Sequence, residues 1–238
     1  MIEEKEVLSL TLARSGSKGI PRKNIKNLHG RPLVSYALTE AHKSQYIDRI
    51  IVSTDSKQIA KIAKKYGAEV PFMRPKKLAT DDAKSVDTIV HAVNWLKENE
   101  DYEPDLILLN LGTAPLKTAE DIDNAIETLI EDNRDSLIGL SKVNNHPYWM
   151  MKINNNYIEP FSEKYKKNID KYERRQDLPD VYSLNGAIYI FTPHLILDKK
   201  SSYPIWEDTY PYIMSKEKSI NIDDMLDWKL AEVLLSER

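Results

Sequence analysis

Cysteine is absent from this chain of 238 residues, which excludes disulfides and thiolate metal sites and fits a reducing compartment. No uninterrupted apolar stretch approaches the roughly 18 residues of a membrane-spanning helix, so no membrane partner is expected. The opening Met1-Ile-Glu-Glu-Lys-Glu is acidic and lacks the basic start and apolar run of a secretory signal. A cytoplasmic location is therefore expected. An excess of either charge is missing too, with 34 Lys and Arg against 37 Asp and Glu. Without a global cationic field, nucleic acid is not an expected partner. The five histidines show no metal-ligand or triad spacing and are read as structural. Internal repeats and low-complexity tracts are also absent.

What is present is an alternation. Val7 to Ala13 is a short apolar run ending in a glycine-containing polar segment, which reads as a buried strand and a loop. The spacing of Leu33, Tyr36, Ala37 and Ala41 predicts a helix over Pro32 to Lys43. A strand follows over Arg49 to Thr54, then an amphipathic helix over Ser56 to Tyr66 that Gly67 ends. The rhythm continues with a helix over Ser85 to Lys97, a strand over Leu106 to Leu109, a helix over Ala119 to Glu131 and a strand over Ser136 to Ser141. This predicts an α/β fold with a mostly parallel sheet covered by helices on both faces. Ligands of such sheets bind at the carboxyl ends of the strands, so the loops after Ala13, Thr54, Leu111 and Ser141 are expected to meet at one site.

From about Asn144 the composition turns to Asn, Lys, Tyr and Pro, with short extended pieces such as Trp149 to Ile153. Strand character returns over Val181 to Phe191, and Asp224 to Ser236 closes the chain as an amphipathic helix. The expected organisation is a catalytic α/β domain over 1–143 and 181–238, with a small inserted subdomain over 144–180.

The strongest chemical motif is Ala13-Arg14-Ser15-Gly16-Ser17-Lys18-Gly19-Ile20-Pro21-Arg22-Lys23-Asn24. It places four cations and two glycines just beyond a strand end. Glycines let backbone N–H groups approach phosphate oxygens, and Arg and Lys neutralise their charge. It is not a Walker A loop, and composition alone leaves a solvated basic loop as the commoner outcome.

This run resembles the A-R-x-G-S-K-G-I-P-x-K-N signature of the CMP-sialic acid synthetases (acylneuraminate cytidylyltransferases), and further segments match in order over nearly the whole chain. The resemblance implies a Rossmann-like, glycosyltransferase-A-like nucleotidyltransferase. It also implies that Arg14, Ser17, Lys18 and Lys23 contact the triphosphate of CTP, with Asn24 near the nucleotide. Val52-Ser53-Thr54-Asp55 is similar to the family's second strand; Asp55 reads equally well as a cap of the next helix. Arg74-Pro75 through Leu78-Ala79-Thr80-Asp81 to Ser85 is similar to R-P-x-x-L-A-x-D-x-x-S, which carries a nucleotide-holding role to Arg74 and Ser85.

The sugar side departs from the pattern. Where the family has Gln-Pro-Thr-Ser-Pro-Leu-Arg, this chain places Leu111, Ala114 and Lys117 at the Gln, Ser and Arg positions, and Trp149 stands where a lysine can occur. Arg174-Arg175-Gln176-Asp177-Leu178-Pro179 and Asn185-Gly186-Ala187-Ile188-Tyr189-Ile190 match R-Q-x-L-P and N-G-A-I-Y-I. By resemblance, Arg175 holds the sugar-acid carboxylate, a natural partner for a forked guanidinium, with Asn185 and Tyr189 near the substrate. Core packing is the other reading of Tyr189. The inserted subdomain is implied to form a homodimer contact and to lend its Arg to the neighbouring subunit's site.

Near the carboxyl end, Ile220-Asn221-Ile222-Asp223-Asp224 reads as a strand whose alternate residues Asn221 and Asp223 share a face. The family has an Asp-x-Asp pair there for Mg²⁺ (or Mn²⁺), a hard ion that takes oxygen ligands. The resemblance makes Asp223 the chief metal ligand, with Asn221 through its carbonyl or through water. Asp224 and Asp227 read as a helix cap and first-turn charge. Arg14, Lys23 and Asp223 are the expected catalytic groups. The implied reaction couples CTP to a 3-deoxy-2-ulosonic acid of sialic or sialic-like type, releasing pyrophosphate. A relative using an octulosonate or GTP, or a catalytically lapsed nucleotide-binding homologue, is the alternative.

Overall fold

The computed structural model describes residues 5–167, 171–172, 174–197 and 208–238. Strand β1, Val7–Leu12, is the centre of the nucleotide half. Its Val-Leu-Ser-Leu-Thr-Leu sequence alternates as a half-solvated strand would, yet Ser9 and Thr11 are fully buried. Asn110 resolves the conflict. Thr11 Oγ1 donates to Asn110 O at 3.0 Å, and Asn110 Nδ2 donates to Ser9 Oγ at 3.2 Å and to Ala37 O at 3.0 Å. Buried hydroxyls need such partners, and the carbonyl of Ala37 comes from the helix that covers this face.

After β1 the chain makes a short antiparallel pair, β2 (Asn27–Leu28) and β3 (Arg31–Pro32), and enters helix α1, Leu33–Lys43. Strand β4, Arg49–Ser53, leads to α2, Lys57–Lys65. Ser56 caps α2 by accepting from the Ile59 N–H, and Gly67 follows it at φ +80°, a value that favours glycine. Helix α3, Ser85–Glu100, runs three residues past the sequence expectation and stops at Asp101 with φ +51°. Strand β5, Leu106–Leu109, and α4, Ala119–Glu131, follow, the helix opened by a reciprocal Thr118–Asp121 capping box. Strand β6 is Ser136–Lys142.

The excursion then makes a hairpin of β7 (Met151–Asn154) and β8 (Tyr157–Pro160). Asn155 and Asn156 turn it with φ of +46° and +66°, the two positive values of a tight hairpin turn. A short helix α5, Glu163–Lys166, succeeds it. Strand β9, Tyr182–Phe191, returns to the main sheet, followed by α6 (His194–Leu197), β10 (Thr209–Ile213) and α7 (Met225–Ser236).

Among the described residues the main sheet has six strands in the order β10-β6-β9-β5-β1-β4. All are parallel except β9, which runs antiparallel to both β5 and β6. One core layer packs Leu8, Leu10, Ile107 and Phe191 against Ile89, Val93 and Leu96 of α3. On another face, Leu106, Leu108, Leu137 and Ile190 meet Ile122, Ile126 and Leu129 of α4. Burial of these side chains on both faces, at roughly 25 cal/mol per Å² of apolar surface, is what fixes the sheet. The parallel run of β1, β4 and β5 brings their carboxyl ends to one edge, where the basic loop begins.

The candidate nucleotide cleft

Two adjoining cavities open at that edge. One, of about 320 Å³, is lined by Arg14, Ser17, Lys18, Lys23, Asn24 and Asp223, with Gly16, Gly19, Leu12 and Thr113. The other, of about 280 Å³, takes Arg74, Thr80, Asp81, Ser85, Thr88 and Leu111 among its walls. Leu12 and Arg14 line both. Every nucleotide-binding residue expected from the sequence therefore lies on one continuous depression.

The basic loop is organised by internal contacts. Asn24 is buried and donates from Nδ2 to Arg14 O at 2.9 Å, which closes the loop on itself. Asp55 accepts from the Ser15 backbone N–H at 2.7 Å and from the Ser15 hydroxyl. Burial works to raise the Asp55 pKa, but the two Ser15 donors more than offset it and hold the carboxylate below its usual value. Asp55 is not the cap of α2, which is Ser56. It fastens the basic loop to the end of β4.

Arg14 and Lys18 meet a counter-ion in Asp81, to which the sequence motif alone assigns no role. Asp81 accepts from Arg14 at 2.7 Å and pairs with Lys18 at 3.1 Å, while Arg14 also donates to Thr80 O at 2.6 Å. The Lys18 hydrogen bond, with Arg14 behind it, holds the Asp81 carboxyl below the ordinary range. A carboxylate thus sits between two cations that would suit a phosphate. Arg74 is no surface cation: only 6% exposed, it donates to the Ser53 hydroxyl at 3.1 Å and to the Ser53 carbonyl. Burial pushes its pKa down to about 10, against the pull of Asp55, so the guanidinium remains charged at neutral pH. Ser85 is the exposed first residue of α3, where unpaired helix N–H groups favour anions.

At the opposite wall, the chain's two ends are pressed together. A side chain at Gly19 would place its Cβ 2.3 Å from the backbone carbonyl oxygen of Asp223, so only glycine permits this approach. Lys23 is largely buried and donates from Nζ to Ile222 O at 2.6 Å, with Asp223 Oδ1 3.4 Å away. Asn221 Nδ2 donates to Asp223 Oδ2 at 3.1 Å. The expected shared side of Asn221 and Asp223 is present, but on a loop rather than a strand. Asp224 and Asp227 form a capping box at the start of α7.

Among the described residues no group of three His, Cys, Asp or Glu could hold a metal ion. The donor set still fits Mg²⁺, which commonly takes one or two carboxylates and completes its shell with phosphates and water. The Asp223 side chain is 74% exposed in the cleft, and its neighbour Asn221 keeps a buried, unpartnered carbonyl oxygen.

The sugar-side expectations are distributed differently. Arg175 lies outside the cleft, in a cavity of about 100 Å³ within the excursion that Lys142, His146, Trp149 and Asp180 also line. Arg174 is tied to Asp177 by bonds of 2.8 and 3.0 Å. The loop after β6 likewise lines the excursion's cavity rather than the cleft, and the loop after Thr54 reaches the basic loop through Asp55 without lining the cleft, so of the four expected loops those after Ala13 and Leu111 share it. Asn185 is 4% exposed and serves a bulge: it accepts from the Ala187 N–H at 3.0 Å and donates to Ser219 Oγ at 3.0 Å, beside Gly186 at φ +68°. Tyr189 is 3% exposed within the core layer under α3. Its core-packing reading is the one the structure supports, since it packs in the cluster with Ile89 and Val93 of α3. Lys117 is also internal, 1% exposed, and donates to the Leu111 and Ala114 carbonyls of the loop that precedes it.

Comparison with known proteins agrees with this geometry. The family profile described as "Cytidylyltransferase" matches residues 8–218. CMP-N,N'-diacetyllegionaminic acid synthase of Legionella pneumophila is 34% identical over 236 residues, 96% of each chain. Pseudaminic acid cytidylyltransferase of Campylobacter jejuni is 31% identical over 229 residues, 95% of each chain. A solved CMP:2-keto-3-deoxy-manno-octonic acid synthetase complexed with CTP superposes with a TM-score of 0.70 over 98% of this chain and 99% of that one, at 14% identity. With a basic loop, the exposed carboxylate of Asp223 beside it and a mostly parallel sheet, and a profile match over most of its length, the chain belongs to the cytidylyltransferase family.

Proposed function

We propose that this enzyme couples CTP to a sialic or sialic-like nonulosonic acid, giving the CMP-sugar and pyrophosphate. The observation that carries the reading is the convergence of Arg14, Lys18, Lys23 and Asp223 on one cavity. Three cations suit a triphosphate, and a single carboxylate suits the metal that accompanies it. In the relatives named above, legionaminic and pseudaminic acids are both used at similar identity, so a 2-keto nine-carbon sugar acid is the proposed substrate class.

The triphosphate lies along the basic loop, displacing Asp81 from Arg14 and Lys18. Arg14 and Lys18 then neutralise its oxygens, and the backbone N–H groups around Gly16 and Gly19 approach closely. Lys23, anchored on Ile222 O, holds its ammonium beside Asp223 at the reacting end. Asp223, assisted by Asn221, would hold Mg²⁺, whose charge would stabilise the α-phosphate and pyrophosphate oxygens. The anomeric hydroxyl of the sugar acid attacks the α-phosphorus and gives its proton to solvent, the bond to the bridging oxygen breaks, and pyrophosphate leaves with that electron pair. Such transfers are governed by positioning and charge neutralisation, and the cleft supplies both.

The excursion is proposed to form a homodimer contact and to present Arg175 to the partner's sugar site. Ile153, Tyr157, Ile158 and Phe161 are 79, 78, 73 and 67% exposed on and beside its hairpin, an apolar patch of the kind that marks association. No helix of the described residues is long and apolar enough to cross a membrane, and a cytoplasmic location is proposed from the absence of cysteine.

The test measures pyrophosphate release with CTP or GTP against a panel of N-acetylneuraminic, legionaminic, pseudaminic and octulosonic acids. CTP-dependent release with a nonulosonic acid is expected. Turnover only with the octulosonate, only with GTP, or with no pair despite tight CTP binding would each overturn the assignment.

A further inference from the structure

Lys117 is among the largest fully buried side chains of the described residues, and it carries an amine. Placing an ammonium in the interior is unfavourable unless its donors are used, and a methionine would fill similar space without that penalty. Its donors have specific targets. Nζ donates to Leu111 O at 2.9 Å and to Ala114 O at 3.1 Å, the two carbonyls that bracket the turn after β5. The Ala114 N–H also closes on Leu111 O at 3.3 Å.

That turn belongs to the cleft. Leu111 lines the cavity of Arg74 and Ser85, and Thr113 lines the cavity of the basic loop. Thr113 O accepts from the Ile222 N–H at 2.8 Å, and Ile222 O accepts from Lys23 Nζ at 2.6 Å. A strap of hydrogen bonds therefore leads from buried Lys117, through the turn, to the residue preceding Asp223 and on to the basic loop. Gly112 packs beside Val34 within the same turn, where a Cβ would lie in ordinary contact at 3.5 Å from Val34 Cα. The carboxylates nearest in charge, Glu40 of α1 and Asp121 of α4, engage other groups: Glu40 binds Lys43 and the Ala119 N–H, and Asp121 binds Lys218 and Thr118. Lys117 is left to the turn.

We propose that Lys117 is a positioning residue for the reaction, fixing the turn after β5 and, through Thr113 and Ile222, the placement of Asp223 against the basic loop. The turnover half of the test rests on the proposed function; the structural half does not. Displacement by about 1 Å at a reacting group can lower a rate by about a hundredfold.

The experiment compares Lys117→Met and Lys117→Arg with the wild type in two readouts. Backbone amide exchange at Ile222 and 112–114 is expected to rise at least tenfold in Lys117→Met, with Leu8 and Ile107 unchanged. In steady state, kcat is expected to fall about thirtyfold while the KM for CTP stays within threefold, because Arg14 and Lys18 are untouched. Lys117→Arg, which restores donors, should recover most of both. Unchanged exchange at Ile222, exchange that rises equally in the core, or a kcat equal to wild type would overturn the proposal. Should Lys117→Met fail to fold, Lys117→Leu, which also lacks donors, is judged by the same two readouts. A wild-type enzyme silent with every sugar acid would defeat the functional reading alone, since the exchange measurement still decides whether the strap exists.

Discussion

Around the basic loop, three polar side chains that the fold buries are tied to the chain's own backbone and side chains: Asn24 on Arg14 O, Arg74 on Ser53, Lys117 on the turn after β5. The hairpin of β7 and β8, by contrast, leaves Ile153 and Tyr157 nearly four-fifths exposed. The first region is finished by one chain. The second offers apolar surface of the kind that marks association and, in Arg175, a cation that lines a cavity apart from the cleft. Under the proposed function, nucleotide binding and sugar selection fall to parts of the molecule with different degrees of self-sufficiency, and this contrast can be tested residue by residue.

The largest effect is expected at Asp223. Replacing it with Ala should lower pyrophosphate release on the order of a thousandfold while moving Tm by no more than about 2 °C, as the side chain is 74% exposed. Normal turnover in that variant would remove the metal assignment. Next comes Gly19→Ala, whose Cβ would collide with the Asp223 carbonyl. Calorimetric CTP titration and rate measurement together should show about a hundredfold loss in kcat, and a silent substitution would mean the two ends need not touch. On the other side of the comparison, Arg175→Ala should raise the KM for the sugar acid about tenfold or more with CTP affinity unchanged, as loss of a charge-assisted hydrogen bond implies. Equal effects on both substrates would show that the excursion is not a separate sugar module.

Smaller effects concern the counter-ions. Asp81→Asn releases Arg14 and Lys18 before CTP arrives, and fluorescence titration should find CTP bound about two- to fivefold tighter, the scale of an exposed ion pair. Weaker binding would instead make Asp81 a brace for the two cations. Finally, burial pushes Lys117 down to about 7 from an ordinary 10.5, Glu40 and Asp121 only partly opposing it. Between those values the unfolded chain binds the extra proton, so this group makes stability rise with pH across that window and adds no slope below it. Lys117→Met should flatten the rise in melting curves taken from pH 7 to 10; identical slopes would show that the amine is not the titrating group.

Much of the fold was legible because it rests on local signals. The ranges expected for the helices following Ser56 and Thr118 fall where the caps and the Gly67 stop place them. What could not be read is what depends on distant partners. Ser9 and Thr11 look like outward residues until Asn110 covers them. Asn221 and Asp223 share a side because Ile222 is held by Thr113, and no periodicity within five residues shows that it is a loop. Tyr189 and Asn185 were placed at the substrate by motif, yet the antiparallel course of β9 and its bulge at Gly186 turn them into the core and the bulge. Lys117 gave the least warning: a lone lysine reads as surface, and only the fold closes over it.

The contact of Gly19 with Asp223, and of Lys23 with the carbonyl of Ile222 199 residues later, has a bearing on how the protein is made. Contacts so far apart in sequence form late and slowly. A nascent chain emerging from the ribosome carries its cationic loop for nearly the whole of synthesis before the carboxylate that balances it exists. Asp55 and Asp81, which hold the loop in the finished fold, lie much nearer to it in sequence than Asp223 does, so in order of synthesis the loop's near counter-ions precede its distant one.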